Sequence, residues 1–479
     1  MSSYLRESLS EFWASKISKL GVIFLLIVVA VSVYTIATFP LDYGTRYWNN
    51  PRYWVDNPKA AEPQWINYFL GDKKLGHTVL STNMPIKAYL SGGYYLKFYS
   101  VSYDLTVNQF PTFINLKLED VKYHTRAPSA TIFITRPDNK TIELYTLTIE
   151  SPVPNEVPPY IRYSDEPKRI LLSGEQYVVP LRLSNYLLQE YNLSRTPSEV
   201  IEIGYKKIIF GEITEEDDFQ PLKGTYIFNL VLKARQGGDL IGKTTFIIGG
   251  QVYGLMGTDT LGRDLSQGLL FGFPVALLIG FAASFITTAI GASLGVTGGY
   301  IGGRVDNVIQ RVSDVANNLP QLPLLIFLTF VFGGKLWVIL VVLIAFGWPS
   351  LVIVVRSMIL QVKSASFVEA SVSVGASKWR IMARHIFPQV APYILSQMIF
   401  FTPSAILSEA ALSFLGLGDP SIPTWGQILE YGFDHGAVYL GYWWWILPPG
   451  LLIVFSAVTF VLIALGLEPV VNPRLRRRR

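Results

Sequence analysis

GVIFLLIVVAVSVYTIATF, residues 21–39, contains no charged side chain. A helix needs about 20 predominantly apolar residues to cross the hydrocarbon core of a bilayer. Residues 20–40 therefore read as a first membrane span. A cleaved signal peptide is the competing reading. Its apolar core is usually about 7–15 residues long and ends at an A-x-A-like site, and no clear site of that kind follows here. Composition agrees with a membrane protein. The 479 residues are 50% hydrophobic and only 16% charged, against about 25% charged in an average soluble chain. The mean hydropathy is +0.34.

Working outward, the next apolar block begins only after residue 264. Residues 265–303 carry no charge, 315–355 carry only Lys335, and two more uncharged blocks lie between Arg384 and Glu409 and between His435 and Glu468. FGGKLW around Lys335 reads as a tight turn between two spans, which brings the expected total to six. Trp443, Trp444 and Trp445 stand where an interfacial aromatic belt belongs, with Pro448 and Pro449 marking the outer mouth of the last span. Six spans put both termini on one side. The segments on that side hold fifteen Lys/Arg, and the short segments opposite hold two, Arg263 and Lys335. Excess Lys and Arg mark the cytoplasmic side. The expected layout is a cytoplasmic N-terminus (1–19), a first span (20–40), an outer domain (41–250), a five-helix core (255–468) and a basic cytoplasmic tail (469–479). The tail RLRRRR could suggest nucleic acid. At the cytoplasmic end of a last span it reads as a topology anchor, so no nucleic-acid partner is expected.

Residues 41–250 carry 23 Lys/Arg and 23 Asp/Glu, so the +5 charge of the chain belongs to the membrane half. Segments such as YYLKFYSVSYDLTV, ATIFITRP, QYVVPLRLS, VIEIGYKKIIF and TYIFNLVLKA are rich in β-branched and aromatic residues and separated by turn clusters. They predict an all-β domain, a sandwich of roughly eight strands, with LSNYLLQEY (183–191) as one short helix. Asn139 and Asn192 head N-x-[ST] triplets, which makes them glycosylation candidates on this side of the membrane. GGDLIGKT, residues 237–244, fits the G-x-x-x-x-G-K-[ST] phosphate loop. A real one leaves a strand and opens a helix, whereas TTFIIGG follows here and reads as another strand. The stretch is better read as a β-hairpin connection in which Gly237 and Gly238 supply the turn. There is no Cys, which excludes disulfides and thiolate chemistry. His77, His124, His385 and His435 have no metal-ligand spacing. No catalytic residue, metal site or cofactor is expected on this chain.

The longest cytoplasmic loop, 359–392, contains SASFVEASVSVGASKWRIMARHIFPQVAP. It reads as two short helices with a break. Ser366 and Glu369 are spaced as a capping box, Gly375 suits a helix C′ position, and Ser377 can cap a second helix that ends before Pro388. A short, small-sided helix below the membrane suits docking in another protein's groove. An amphipathic loop lying on lipid fits the spacing equally well.

A resemblance separates the two. The loop resembles the E-A-A-x3-G-x9-I-x-L-P motif of ABC-importer permeases, with Glu369, Ala370, Ser371, Gly375 and Pro388 on its frame and Ala376 beside it as a further implied coupling residue. Ser371 replaces the second Ala, His385 stands at the Ile position and Phe387 at the Leu position. RHIFP is similar to the RHILP of the dipeptide/oligopeptide branch. GTDTLGRDLSQGLLFG (257–272) resembles the GTDxxGRD signature of that branch through Gly257, Thr258, Asp259, Gly262, Arg263 and Asp264. SEAALSFLGLGDPSIPTWGQIL (408–429) resembles a third segment through Gly416, Gly418, Trp425 and Gly426. The order is that of the C-type subunit, with an unusually large outer insertion. The resemblance implies the importer permease fold and a loop that forms the coupling helix. It also implies a second permease subunit, two cytoplasmic ATPase subunits that hold ATP and magnesium, and an extracytoplasmic substrate-binding protein. The implied cargo is a peptide, an oligosaccharide or nickel. Local readings stand beside these: Thr258 and Asp259 as helix caps, and GLGDPSIPTWG as a turn-rich outer loop. Gly291, Gly295 and Gly299 read as a packing stripe. Glu409 is either an intramembrane functional acid or a span end facing water. A membrane-anchored extracellular recognition or scaffold protein is the alternative function, disfavoured because one span would anchor it.

Overall fold

The computed structural model describes residues 12–175, 177–214 and 218–471. The first eleven residues of the expected N-terminal segment and the RLRRRR tail lie outside these residues. The chain forms two compact units, Met1–Asn50 with Leu265–Arg479, and Pro51–Asp264.

Helix α1, Lys16–Thr38, is the expected first span, opened by Ser15, whose hydroxyl accepts from the Ser18 amide. The Pro51–Asp264 unit carries twelve strands among its described residues, in two five-stranded sheets and one two-stranded ribbon. One sheet runs β1 (Thr78–Thr82), β12 (Leu240–Ile248), β4 (Ile114–Tyr123), β7 (Tyr160–Arg162), with β8 (Lys168–Leu171) also on β4. The other runs β2 (Lys87–Ser91), β3 (Tyr94–Leu105), β11 (Gly224–Ala234), β5 (Ser129–Thr135), β6 (Thr141–Thr148). All these pairings are antiparallel. Alternate residues of the long strands are buried and meet in one core, as Phe228 and Phe246 do with ring centres 5.3 Å apart. This is a sandwich with more strands than expected, the extra ones being short. The ribbon β9 (Gly211–Ile213) and β10 (Phe219–Pro221) is one of them.

Two expected strands are helices. Of QYVVPLRLS, the residues from Val178 onward lie in α2 (Val178–Tyr191), and VIEIGYKKIIF forms α3 (Pro197–Ile203) and α4 (Tyr205–Phe210). Local punctuation overrides the β-branched composition. Pro180 falls in the first turn of α2, where its missing N–H costs nothing. Thr196 and Glu199 form a complete capping box with Pro197 between them. The buried Arg136 guanidinium then donates to the carbonyls of Ile208 and Gly211, both at 2.8 Å, which fixes the end of α4 to the sheet.

GGDLIGKT is strand–turn–strand, so a helix-opening phosphate loop is not formed. It is also not a hairpin, because β11 and β12 belong to different sheets. The connection is an arch between the two layers. Asp239 closes it, fully buried and accepting from the Gln236 and His124 amides at 3.0 Å each. Lys243 pairs with Glu119.

In the second unit, α5 (Leu265–Ile301), α8 (Leu336–Lys363), the run Lys378–Leu417 and α13 (Trp443–Val471) join α1 as helices long and apolar enough to span. They make a helical membrane domain. The expected third span is not one straight helix. α6 (Gly303–Asn318) and α7 (Gln321–Phe332) meet at 82°. Pro320 forces Leu319 into extended backbone, ending α6. α7, with 12 residues, is only about 18 Å long. The run Lys378–Leu417 contains α10 (Lys378–Ile381) and the long α11 (Phe387–Leu412), and the short helices α9 (Ser366–Ser373) and α12 (Trp425–Asp434) complete the unit. Trp444 and Trp445 are buried and do not form an outward aromatic belt.

The glycine stripe sets the α5–α8 spacing. A Cβ at Gly291 would lie 3.0 Å from the Trp348 carbonyl oxygen, one at Gly295 2.8 Å from Val355 Cβ, and one at Gly299 2.8 Å from Ile359 Cβ. Each missing side chain lets a ridge of α8 enter.

Candidate functional site

The loop after α8 is built as a rigid platform. Arg356 holds Asp306 of α6 through two bonds of 2.6 Å, and Lys363 Nζ donates to the Tyr300 carbonyl at 2.7 Å. These contacts fix the ends of α5, α6 and α8 together. α9 then rests on them through Val368, which is buried in a cluster with Val296, Tyr300, Ile359, Ile381 and Ile386. The expected capping box does not form, because Ser366 is already the first helical residue and Ala365 occupies the cap. The C-terminus is a full Schellman turn. The Gly375 amide donates to Val372 at 2.9 Å, the Ala376 amide to Ser371 at 3.1 Å, and Gly375 has a φ of +76°. Ser377 caps α10 by accepting from the Arg380 amide.

Glu369, Ala370, Val372 and Ser373 lie on the exposed side of α9. Ser371 stands where the motif has Ala, and its hydroxyl donates to the Phe367 carbonyl at 2.8 Å. The substitution thus adds no free donor to the surface. Val374 and Trp379 are 83% and 75% exposed, so apolar side chains flank the small-residue face. The second helix does not stop before Pro388. It continues through a π-turn, Met382–Ile386, into α11, with Pro388 in the first turn of α11. The wide turn accommodates a residue that has no N–H to donate. α10 thus runs on into α11, and the capped turn 374–377 joins α9 to that run.

Asp259, expected with Thr258 to cap a helix, instead bonds within its own loop. The GTDTLGRD residues form a closed knot inside the Pro51–Asp264 unit. The Thr258 hydroxyl donates to the Pro58 carbonyl at 2.7 Å and accepts from the Ala61 amide at 2.9 Å. Asp259 is fully buried and accepts from the Leu261 and Arg263 amides at 2.9 Å and from Arg263 Nε at 2.5 Å. Gly262 needs a positive φ of +83°, and a Cβ there would lie 2.9 Å from the Trp54 carbonyl oxygen. A bridge between Thr258 and Asp264 closes the loop, with Gly257 at a φ of +71° where it begins.

The third segment ties the end of α11 to α12. Trp425 Nε1 donates to the Leu269 carbonyl at 2.8 Å, and Gly272 leaves room for its ring. Gly426 packs against the Ala410 carbonyl, Gly418 against Ser413, and Gly416 turns the chain with a φ of +77°. Glu409 does not face water. It is buried and accepts from the Ser413 hydroxyl at 2.7 Å. Asn139 and Asn192 are both exposed and both have left-handed backbone, at a strand turn and at the end of α2.

Sequence reading did not locate a cavity of about 330 Å³ among α5, α7, α8 and α11. Ser284, Thr287, Ser404 and Ser408 line it together with Leu325 and Phe401, and no charged side chain does. Four hydroxyls in apolar helices carry no periodic signal of their own. Among the described residues, no group of three or more His, Asp or Glu could hold a metal.

Residues 288–477 match the family described as "Binding-protein-dependent transport system inner membrane component". The chain is 35% identical over 222 residues to the dipeptide transport system permease protein DppC of Bacillus subtilis, covering 46% of this chain and 69% of that protein. It is 33% identical to the oligopeptide transport system permease protein OppC of the same organism, covering 46% of this chain and 72% of that one. It is 33% identical over 240 residues to the di/tripeptide transport system permease protein DppC of Pseudomonas aeruginosa, covering 50% of this chain and 78% of that protein. The chain belongs to this permease family. It is a transmembrane permease subunit of an ATP-driven importer, and the ATPase activity sits in separate subunits. Within the permease, the matched residues contain the α9 platform and the cavity walls contributed by α7, α8 and α11. The family match does not include the sandwich, which adds to the family's helical domain.

Proposed function

We propose that this permease imports peptides and that α9 is its coupling helix, seated in a groove of one of two cytoplasmic ATPase subunits that bind ATP and magnesium. The observation that supports the coupling role is the platform itself. A small-residue helix is exposed on one side, anchored by Val368 on the other, and joined by a capped turn to the run of α10 into α11. Motion imposed on α9 is then delivered to the wall of the Ser/Thr-lined cavity. The peptide cargo is inferred from what the relatives' names state. In this reading a second permease subunit supplies the other half of the pathway, and an extracytoplasmic binding protein delivers the substrate. The chain crosses the membrane six times, α6 and α7 together forming the third crossing. Both termini are cytoplasmic, as the Lys/Arg distribution requires. Glu369, Ala370, Ser371, Gly375, Ala376 and Pro388 act at the coupling surface, and the sandwich, outside, assists docking of the binding protein.

The test is mild-detergent purification of the tagged chain from its own membranes, with identification of co-purifying proteins and an ATPase assay. Cross-linking then follows from a cysteine at Ser373, since the chain has no other. Recovery of ATPase subunits that cross-link through Ser373→Cys supports the reading. A stably folded chain without ATPase partners, or a cross-link from the opposite face only, refutes it.

A further inference from the structure

We infer that the sandwich unit has a membrane-contacting tip, made by Tyr68, Phe69 and Leu255, that inserts into the bilayer surface on the side where this unit lies. Tyr68, Phe69 and Leu255 are 89%, 80% and 65% exposed. They are held out by a loop that several hydrogen bonds fix in place. The 3₁₀ turn Gln64–Tyr68 carries them. Asn67 closes the loop through two bonds of 2.9 Å to the backbone of Lys74, and Lys74 pairs with Glu62. Trp65 Nε1 donates to the Leu255 carbonyl at 2.8 Å, while its ring packs edge-on against Phe69. The Gln64 amide donates to Gly254 and the Tyr253 amide to Glu62. Large apolar side chains on so ordered a loop do not rotate inward. They stay exposed until something covers them.

The chain path names the occupant. Residues 251–255, to which the loop is pinned, form the exit of the sandwich. Beyond them Thr258 bridges to Asp264, the residue that precedes α5. Leu255 therefore lies no more than roughly 20 Å along the chain fold from Asp264, given about 3.5 Å per extended residue and about 5 Å across a bridge. The tip lies on the stretch of this unit from which the chain leaves for α5. Its Trp, Tyr and Phe are the side chains that favour the headgroup boundary. A second exposed apolar group, Met84, Ile86, Tyr89 and Leu90, follows the Thr82 end of β1. That end is away from the exit, because Thr78 and not Thr82 pairs with Ile248. Nothing there names an occupant.

The test uses the full-length permease in lipid nanodiscs. The chain lacks cysteine, so Tyr68→Cys, Phe69→Cys and the control Ser91→Cys, at the exposed β2–β3 turn, each take one environment-sensitive fluorophore. The inference expects emission at 68 and 69 to shift to the blue and to be quenched by a nitroxide near the lipid headgroup but not by aqueous iodide, with the reverse at 91. Iodide quenching at 68 and 69 overturns it, leaving the tip in water. Protection from both quenchers also overturns it, by showing that protein covers the tip.

Discussion

Replacing Gly375 tests whether the cap of α9 transmits motion. Its φ of +76° lies in the left-handed region, and nothing within 4 Å would meet an added Cβ. The cost of Gly375→Ala is thus the backbone term alone, about 1–2 kcal/mol for an L-residue in that region. A cost of that size shifts a local equilibrium between the closed cap and a frayed one by roughly 5- to 30-fold. Gly375→Asn costs less, because Asn is enriched at positive φ. Gly375→Pro removes the amide that donates to Val372, worth about 1 kcal/mol, and fixes φ near −65°. The Schellman turn cannot then form. The assay is substrate uptake and substrate-stimulated ATP hydrolysis by the reconstituted importer, with the amount of inserted chain measured in parallel. Uptake should fall in the order Gly, Asn, Ala, Pro, with Pro inactive and insertion unchanged throughout. Normal uptake by Gly375→Pro, or equal loss in all three variants, would refute the reasoning.

Three further outcomes are expected. Gly295→Val places a Cβ 2.8 Å from Val355 Cβ and should destabilise the helical unit by about 1–3 kcal/mol through overpacking; thermal melts should show part of that loss restored by Val355→Ala in the double variant. Ser404→Phe fills part of the 330 Å³ cavity and should reduce uptake while subunit assembly and basal ATP hydrolysis are kept; unchanged uptake would remove the cavity from the pathway. His77 in the sandwich unit has its pKa lowered to about 4, mainly by burial, with Nδ1 unpartnered. The unfolded chain, titrating near 6.5, then binds the extra proton first. Stability is undiminished above that pH, falls as pH drops from about 6.5 to about 4, and loses up to about 3 kcal/mol. His77→Phe should flatten the dependence, as read by thermal unfolding at pH 7 and pH 5.

The parts of the fold that were legible in the sequence are those whose cause is local. The spans were legible because twenty uncharged residues have few other uses, and the α5 stripe because three glycines four apart fall on one helix face. The Gly375 cap needs only a backbone preference. What escaped depends on partners distant in sequence. VIEIGYKKIIF reads as a strand by composition, yet Arg136, about seventy residues away, holds its carbonyls as a helix end. GGDLIGKT reads as a hairpin because its flanking strands are adjacent in the chain, and only the pairing of β11 with β3 and of β12 with β4 shows that they lie in different sheets. Glu409 was ambiguous because one acid at a span end has no pattern. Its burial follows from Ser413 and from the return of Trp425 onto α5.

The same distinction explains the GTDTLGRD signature. GTDTLGRD looked like helix caps because Thr and Asp before an apolar run are the local sign of one. The Thr258 hydroxyl instead meets Pro58 and Ala61, and the Gly262 backbone lies against Trp54, about two hundred residues earlier. The motif thus lashes the two ends of the sandwich unit to each other, independently of how many residues lie between them. A unit whose ends are already closed by such a knot can accept a large insertion between residues 62 and 250 without opening that knot. That is a physical reason for a sandwich to be carried at this point of the chain.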